Sequence, residues 1–289
     1  MSIGGAGSGR TDMGVGKELI AFFEQASGRL PTPRVRALHL PPADRVAGKD
    51  GEFCALELDD GSLGLGFVLL GDTLQRLSES PDRLGLVGAD AMAVARRFLE
   101  PAGIGRTLGF TAVAALTRRL FDKAGYVPPG SADSVGMMRP EAGDHVGMVG
   151  HFTPLVPRVV AAGARLTVVE LRADLAGEKD GYRVTLDPAE LAGCNKVLAT
   201  SSILLNDTLD RILACCGNAK NIAVVGPGAG CLPDPLFARG VTFIGGNWIL
   251  DPAGFIDALR CGRAWTGVAR KSAIGPRDYP GFDALLART

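Results

Sequence analysis

The chain has 289 residues, of which 46% are hydrophobic and 21% charged, so it can bury a substantial core and is not a disordered or fibrous protein. Lys and Arg number 31, as do Asp and Glu, and this zero net charge argues against a nucleic-acid binder. The length corresponds to two domains or to one large domain.

The first half of the chain predicts a small α+β unit. Apolar residues recur at helical spacing or in short strand-like runs, and Asp59-Asp60-Gly61-Ser62 is a hairpin signal between two of these runs. The stretch over 126–144 is rich in Pro, Gly and Ser, and we interpret it as a linker. The predicted elements, in chain order, are a helix over 14–27, strands over 35–40, 53–58 and 63–69, and helices over 89–99 and 106–124.

The second half alternates apolar strands with short helices, a pattern typical of a parallel sheet covered on both faces. It predicts a Rossmann-like domain, and a tail from Cys261 that carries Trp265 and wraps the body. The predicted domains are a flexible leader over 1–13, an α+β domain with its linker over 14–140, and the Rossmann-like domain with a C-terminal extension over 141–289. The predicted strands are 146–150, 166–171, 196–200, 222–226 and 241–245, and the predicted helices are 155–162, 188–192, 205–215, 232–238 and 252–259.

The sequence predicts a cytoplasmic protein without a membrane partner. No apolar run approaches the roughly 20 residues that a bilayer requires, and the N-terminal residues lack the apolar stretch of a secretory signal. The six cysteines contain no CxxC pair, so we expect free thiols in a reducing compartment.

Ligands of open parallel sheets bind beyond the carboxyl ends of the strands, near the point where the strand order reverses. Polar residues and glycines follow the predicted strands and suit a polar or anionic ligand held by backbone N–H groups. The candidate ligand-binding residues are His151, Thr153, Glu170, Thr200, Ser201, Ser202, Asn206, Gly226, Pro227 and Gly228.

Two of these residues and one loop have more than one interpretation each. Glu170 lies where a ribose-binding acid is expected, about 20 residues beyond the first loop, or it caps a strand in solvent. His151 is a metal ligand, an acid–base group, or a hydrogen-bonded loop residue. The loop from Gly226 to Gly230 approaches a ligand closely, or it is a plain connection between a strand and a helix.

Several familiar motifs are absent from the sequence. The first loop, Gly147 to Phe152, lacks the G-x-G-x-x-G spacing of dinucleotide-binding proteins. There is no HxH, HExxH, P-loop or GxSxG pattern, so the sequence supports neither a dedicated zinc site nor these NTPase and hydrolase types.

The second half resembles the heavy-metal chelation family, a domain-of-unknown-function group. The resemblance rests on the segments VGMVGHF, LTVVEL, LATSSILLNDTLDRIL and VVGPGAGCLPDPLFARGVTFIGG, which lie between Val146 and Gly246. The first half is similar to the companion domain of that family, which has an enolase-N-terminal-like fold, through the strand Leu63–Phe67 and the helical stretch Arg106–Ala112. Gly228-Ala229-Gly230 departs from the family's threonine-proline after Gly-Pro.

The resemblance implies a site between two domains and a protein that binds a divalent metal ion, a metal complex or another small molecule. His151 is the candidate metal residue. The alternative is an enzyme that uses a nucleotide-type cofactor, S-adenosylmethionine or NAD, for small-molecule transfer chemistry. A third hypothesis is a partner-binding subunit, in which the C-terminal extension with Trp265 forms a homo-oligomer contact. The sequence does not decide whether the protein is an enzyme.

Overall fold

The computed structural model describes residues 13–43, 52–79, 84–131 and 138–289. All of the predicted leader except Met13 therefore lies outside the described residues. The described chain forms a mixed α/β structure with a small and a large sheet, which confirms the predicted fold class.

The small sheet is an antiparallel meander in the order β1-β2-β3, and four helices accompany it. The sheet packs closely on α4 because β3 carries glycines: a Cβ on Gly64 would lie 2.2 Å from the carbonyl oxygen of Thr111. The elements of this first unit are α1 (Val15–Ala26), β1 (Val35–His39), β2 (Phe53–Leu58), β3 (Leu63–Phe67), α2 (Thr73–Glu79), α3 (Ala91–Ala95) and α4 (Ile104–Lys123).

The large sheet has eight described strands in the order β11-β10-β9-β8-β4-β5-β7-β6. Six neighbouring strands are parallel, and their order corresponds to the 3-2-1-4-5-6 order of doubly wound sheets, with the reversal between β4 and β8. The elements of this second unit are β4 (His145–Val149), α5 (Val156–Ala161), β5 (Arg165–Val169), β6 (Gly177–Lys179), β7 (Tyr182–Thr185), β8 (Lys196–Thr200), α6 (Leu209–Ala214), β9 (Asn221–Val225), α7 (Asp234–Phe237), β10 (Phe243–Ile249), α8 (Pro252–Arg260), β11 (Ala269–Ile274) and α9 (Phe282–Leu286).

Several elements differ from the sequence-based prediction. The pattern misses the hairpin of β6 and β7, because β6 is an edge strand whose three residues are all exposed and polar or small. It also misses β11 and α9 in the tail, and α2 after the meander. The segment predicted as a helix over 188–192 is a 3-10 helix, and the long helix predicted over 205–215 contracts to α6 behind a 3-10 turn at Ser201–Leu204.

The two units share one apolar core. The largest buried cluster contains residues of the first unit, such as Leu19 and Leu108, together with Val197 and Ile274 of the large sheet. A second cluster lies under α5 on the opposite face of the sheet and includes Met148. The predicted domain boundaries stay a prediction, since the core runs across them.

The predicted linker is partly built into the large sheet. Gly130 forms an antiparallel bridge with Ser272, and the carbonyl oxygen of Pro129 accepts a hydrogen bond of 3.0 Å from the N–H of Ala273. Among the described residues, no helix is both long enough and apolar enough to cross a bilayer. All six cysteines are free thiols.

Candidate functional site

The carboxyl ends of β5, β4 and β8 lie side by side and open into a cleft with a volume of about 110 Å³. This is the place where the strand order reverses and where doubly wound sheets bind their ligands. We call it the Glu170 cleft. Its walls include the polar side chains of Glu170, Thr200, Ser202, Asn206 and Arg211 and the apolar side chains of Leu171, Leu186, Pro188, Ile203 and Ile212.

The Glu170 carboxylate is held in a fixed orientation at the end of β5. Its Oε2 accepts a hydrogen bond of 3.0 Å from the backbone N–H of His151, and its Oε1 accepts one of 2.7 Å from the N–H of Leu171. A carboxylate oxygen has two lone pairs, so each oxygen retains the capacity to accept one more hydrogen bond. Glu170 is therefore both a loop-orienting residue and an available acceptor in the cleft.

Gly150 makes the floor of the cleft possible. The chain turns there with φ of +84°, and a Cβ at this position would lie 2.9 Å from Cγ2 of Thr200. Glycine is the residue that adopts this conformation without steric cost and leaves room for Thr200. Gly150 thus allows the loops after β4 and β8 to meet.

The loop after β8 directs an amide into the cleft. The Thr200 hydroxyl caps the 3-10 turn at Ser201–Leu204 by accepting a hydrogen bond of 3.4 Å from the Ser202 N–H. Asn206 Oδ1 accepts from the N–H and from the hydroxyl of Thr208, at 3.2 and 2.6 Å. Within the described chain the Nδ2 amine of Asn206 has no acceptor, so its two N–H donors are available to a ligand.

Sequence reasoning missed three residues that complete the cleft. Leu171 and Leu186 are 73% and 48% exposed, which is unusual for large apolar side chains and places them on the rim. Arg211 is exposed and forms no ion pair with the rest of the described chain. Leu171 could have been found from the sequence, because it directly follows the candidate residue Glu170. Leu186 could not, because it follows β7, a strand that the sequence pattern did not predict.

His151 and Thr153 do not line the cleft. The ring of His151 turns to the other side of the sheet edge, where Nε2 lies 3.2 Å from the Tyr182 hydroxyl. Its backbone N–H, and not its imidazole, contacts Glu170. Thr153 is exposed on the same loop.

Ser201, Gly226, Pro227 and Gly228 lie on the side of the edge that faces the first unit. A Cβ on Gly226 would lie 2.4 Å from the Ser201 hydroxyl oxygen, and one on Gly228 would lie 3.4 Å from the Phe53 ring. The glycines therefore let this loop pack tightly between Ser201 and β2. The ten candidate residues therefore lie in three places. Four line the Glu170 cleft, four lie on the side of the sheet edge that faces the first unit, and His151 and Thr153 lie on the loop after β4.

A cavity of about 170 Å³ lies between the first unit and the segment that begins α6, and its lining includes Arg106, Leu204 and Asp207. Two further cavities between the units both contain Pro227. One, of about 60 Å³, is enclosed by β3, α4 and β10 and contains Pro227, Cys231 and Arg118, whose guanidinium stacks 3.8 Å above the Trp248 ring. The other is an open cleft of about 510 Å³ between Phe53, Pro227 and Trp265. The Trp265 ring packs against the rings of Phe53 and Phe255, so this side chain makes its aromatic contacts within the same chain.

The described residues contain no group of three or more His, Cys, Asp and Glu side chains that could hold a metal ion. Burial raises the pKa of Cys54 and Cys194 to about 11 and that of Cys216 and Cys231 to about 12. These thiols are therefore protonated at neutral pH, while the thiolate is the form that binds metal. The role of His151 as a metal ligand stays a prediction.

Comparison with known proteins supports the family resemblance. A family model described as "Putative heavy-metal chelation" (DUF364) matches residues 133–275, which confirms the predicted resemblance of the second half. No curated protein matches the chain significantly.

Solved structures share the fold of both units. A DUF364 protein of unknown function from Desulfitobacterium hafniense has a TM-score of 0.66 at 19% identity, over 90% of this chain and 98% of that chain. A DUF364 protein of unknown function from Pyrococcus horikoshii has a TM-score of 0.64 at 19% identity, over 89% and 99%. A mandelate racemase/muconate lactonizing enzyme from Polaromonas sp. JS666 has a TM-score of 0.32 at 14% identity, over 67% of this chain and 80% of that chain. The enolase-like character of the first unit stays a prediction.

Proposed function

Because residues 133–275 match the DUF364 family, we propose that this protein binds a small organic ligand, including a metal complex of such a ligand, in the Glu170 cleft. One observation carries the proposal. Side chains from the loops after β5, β7 and β8 converge on one opening at the reversal point of the sheet, and they combine free polar groups with exposed leucines. Ligand sites have this mixture of apolar walls and few polar groups.

We propose that any metal is bound as part of an organic complex and not as a bare ion. The cleft offers one carboxylate, hydroxyls and an amide, which is a sparse ligand set for a bare heavy-metal ion. A metal bound by an organic chelator needs fewer protein ligands, and Glu170 is the side chain in the cleft that can complete such a coordination. Arg211 at the rim adds a positive charge that pairs with a carboxylate or another anionic group on the ligand.

We further propose that the protein works in the cytoplasm, where its six free thiols stay reduced. Its partner is then a small molecule and neither a nucleic acid nor a membrane. A homo-oligomer through the C-terminal extension stays a prediction.

The test is native mass spectrometry of protein purified without chelator, in parallel with the variant Ser202→Ala/Asn206→Leu. We expect an added mass on the wild type that the variant loses while keeping its melting temperature. Gln75→Leu is the matched control, because Gln75 is an exposed residue of α2 that does not line the cleft. An added mass that persists in the cleft variant contradicts the proposed site.

The position of Glu170 favours a second candidate, an enzyme that uses S-adenosylmethionine or NAD. In doubly wound sheets an acid at the end of the second strand contacts the ribose, and Glu170 follows β5, the second parallel strand. Calorimetric titration with each cofactor tests this candidate. Binding that Glu170→Gln abolishes supports it, and the absence of heat with both cofactors counts against it.

A further inference from the structure

The Glu170 carboxylate is prepared to accept two hydrogen bonds from neighbouring hydroxyls. Two backbone N–H groups fix its plane, each oxygen retains the capacity to accept one more hydrogen bond, and the residue lines the cleft. A vicinal diol presents two O–H donors at a spacing that matches the two oxygens of one carboxylate. Hydrogen bonds to a charged acceptor are the strong ones, so this pairing contributes much of the affinity for a diol.

Leu171 and Leu186 supply a surface for a flat apolar group beside that carboxylate. They follow β5 and β7, which are neighbouring parallel strands, so both side chains flank the same end of the cleft. Pro188 continues this wall. Large exposed apolar side chains that meet at a cleft mark a binding surface, because leaving them in water is unfavourable.

The loop after β4 leaves no backbone N–H for a diphosphate. From residue 150 to residue 156 every N–H already donates, either to carbonyl oxygens of the loop and of β5 or, at His151, to Glu170. Pro154 and Pro157 have no N–H to donate. Dinucleotide-binding sheets hold their diphosphate with the N–H groups of this loop and of the helix that follows it.

From these three observations we infer that the Glu170 cleft recognises a ribonucleoside that lacks a diphosphate bridge. Glu170 accepts hydrogen bonds from the 2′ and 3′ hydroxyls, and the base lies against Leu171 and Leu186. The inference rests on the proposed function, since it names the class of organic ligand for the same cleft. Of the two cofactors named for the second candidate function, this inference favours S-adenosylmethionine, which is a sulfonium nucleoside, over NAD, which is a dinucleotide.

The test is calorimetric titration of the full chain with 5′-methylthioadenosine, its 2′-deoxy and 3′-deoxy analogues, and NAD. We expect the intact ribonucleoside to bind, each deoxy analogue to lose about tenfold or more in affinity, and NAD to bind more weakly than the nucleoside. Because the analogues are compared on the wild-type protein, this arm does not depend on any variant folding.

The matched variants are Glu170→Gln and Asp174→Asn. Asp174 is an exposed carboxylate paired with Arg172 near the same strand end, and it does not line the cleft. We expect Glu170→Gln to lose about tenfold or more and to bind the three nucleosides equally, and Asp174→Asn to behave like the wild type. Leu186→Ser is expected to weaken all nucleosides alike.

Equal affinity for the ribonucleoside and its deoxy analogues overturns the inference, and so does tight binding of NAD or no binding of any nucleoside. Native mass spectrometry then distinguishes a failure of the ribonucleoside inference from a failure of the proposed function. An added mass that Ser202→Ala/Asn206→Leu loses, together with no nucleoside binding, leaves the proposed function standing and removes the ribonucleoside. No added mass and no nucleoside binding counts against both.

Discussion

Gly150 and Thr200 determine how closely the loops after β4 and β8 approach each other. The φ of +84° at Gly150 is unfavourable for any residue with a Cβ, and the Thr200 methyl carbon would lie only 2.9 Å from that Cβ. Glu170 depends on the same turn, because the N–H of His151 that orients its carboxylate comes one residue later. At this scale, the conformation of one glycine arranges the polar groups of the Glu170 cleft.

We expect Gly150→Ala to reduce the free energy of unfolding by about 2 kcal/mol, since left-handed backbone and a close contact both oppose the new Cβ. Urea unfolding measures this change. Gly217→Ala is the control, because Gly217 has no neighbour within 4 Å of the new Cβ and no left-handed φ. Equal losses in both variants would contradict the explanation, and Thr200→Ser should recover part of the loss in the Gly150 variant.

Asp144 stabilises the start of β4 through three donors. Its carboxylate accepts hydrogen bonds from Lys196 Nζ at 2.6 Å, Asn195 Nδ2 at 2.9 Å and the Glu141 N–H at 2.8 Å. Burial by itself would raise the pKa of Asp144, but these hydrogen bonds and the charge of Lys196 hold the pKa below its usual value. The folded state therefore prefers the ionised form.

A lowered pKa in the folded state gives stability that is present above the unfolded pKa of about 3.9 and is lost as the pH falls through the folded pKa. We expect Asp144→Asn to lower the free energy of unfolding by about 2 kcal/mol at pH 7. The difference from the wild type should shrink as the pH drops below 4. Urea unfolding at pH 7 and at pH 3 checks this, and a difference that is independent of pH would refute the charge-based explanation.

The C-terminal elements β11 and α9 are integral parts of the fold. β11 pairs antiparallel with β10 along six residues, and α9 buries Phe282 and Leu285 in the shared core. The Phe282 ring lies 4.5 Å from that of Phe22 on α1, so α9 holds the first unit as well. The C-terminal extension therefore supplies core residues, whether or not it also forms an oligomer contact.

We expect Phe282→Ala to lower the free energy of unfolding by about 3 to 5 kcal/mol, because it leaves a cavity beside Phe22. Chemical denaturation or the melting temperature reports the loss. Leu250→Ala is a suitable control, since Leu250 is 54% exposed and its truncation should change little. If the two variants are equally stable, α9 does not pack in solution as described.

At the scale of the whole molecule, charged side chains join the two units. Arg239 of the second unit contacts Glu18 of α1 at 2.6 Å and Asp210 at 3.1 Å, and the Glu18 side chain is only 3% exposed. Arg106 of α4 donates to the carbonyl oxygen of Leu204, next to the loop that carries Asn206. The position of the first unit is therefore linked to the wall of the Glu170 cleft.

We expect Arg239→Met to destabilise the protein by about 3 to 5 kcal/mol, because it leaves the Glu18 charge buried without its partner. Adding Glu18→Gln should recover part of this loss. A double-mutant cycle by denaturant unfolding measures the coupling, with Arg76→Met on exposed α2 as the control. Strictly additive losses would show that the ion pair does not couple the units.

Much of the fold followed from local patterns. Strand β8 has the predicted bounds of 196–200, and β4, β5 and β9 differ from their predicted bounds by one or two residues, because a buried apolar run between turns is visible in the sequence. The β6–β7 hairpin was missed because the three residues of β6 are exposed and carry no apolar pattern, and β7 is only four residues long. That omission also hid Leu186, since no loop was expected after an unseen strand.

The sequence by itself determined eight of the eleven described strands, that the second half is a largely parallel sheet, and that polar residues gather at strand ends. Only the tertiary structure decided which of those ends are neighbours. Since β4 lies between β5 and β8, Glu170 meets Thr200, Ser202 and Asn206, although 30 or more residues separate them in the chain. The loop after β9 turns to the first unit, and the His151 ring turns to Tyr182. Strand order is set by packing across the whole core, which no local pattern encodes.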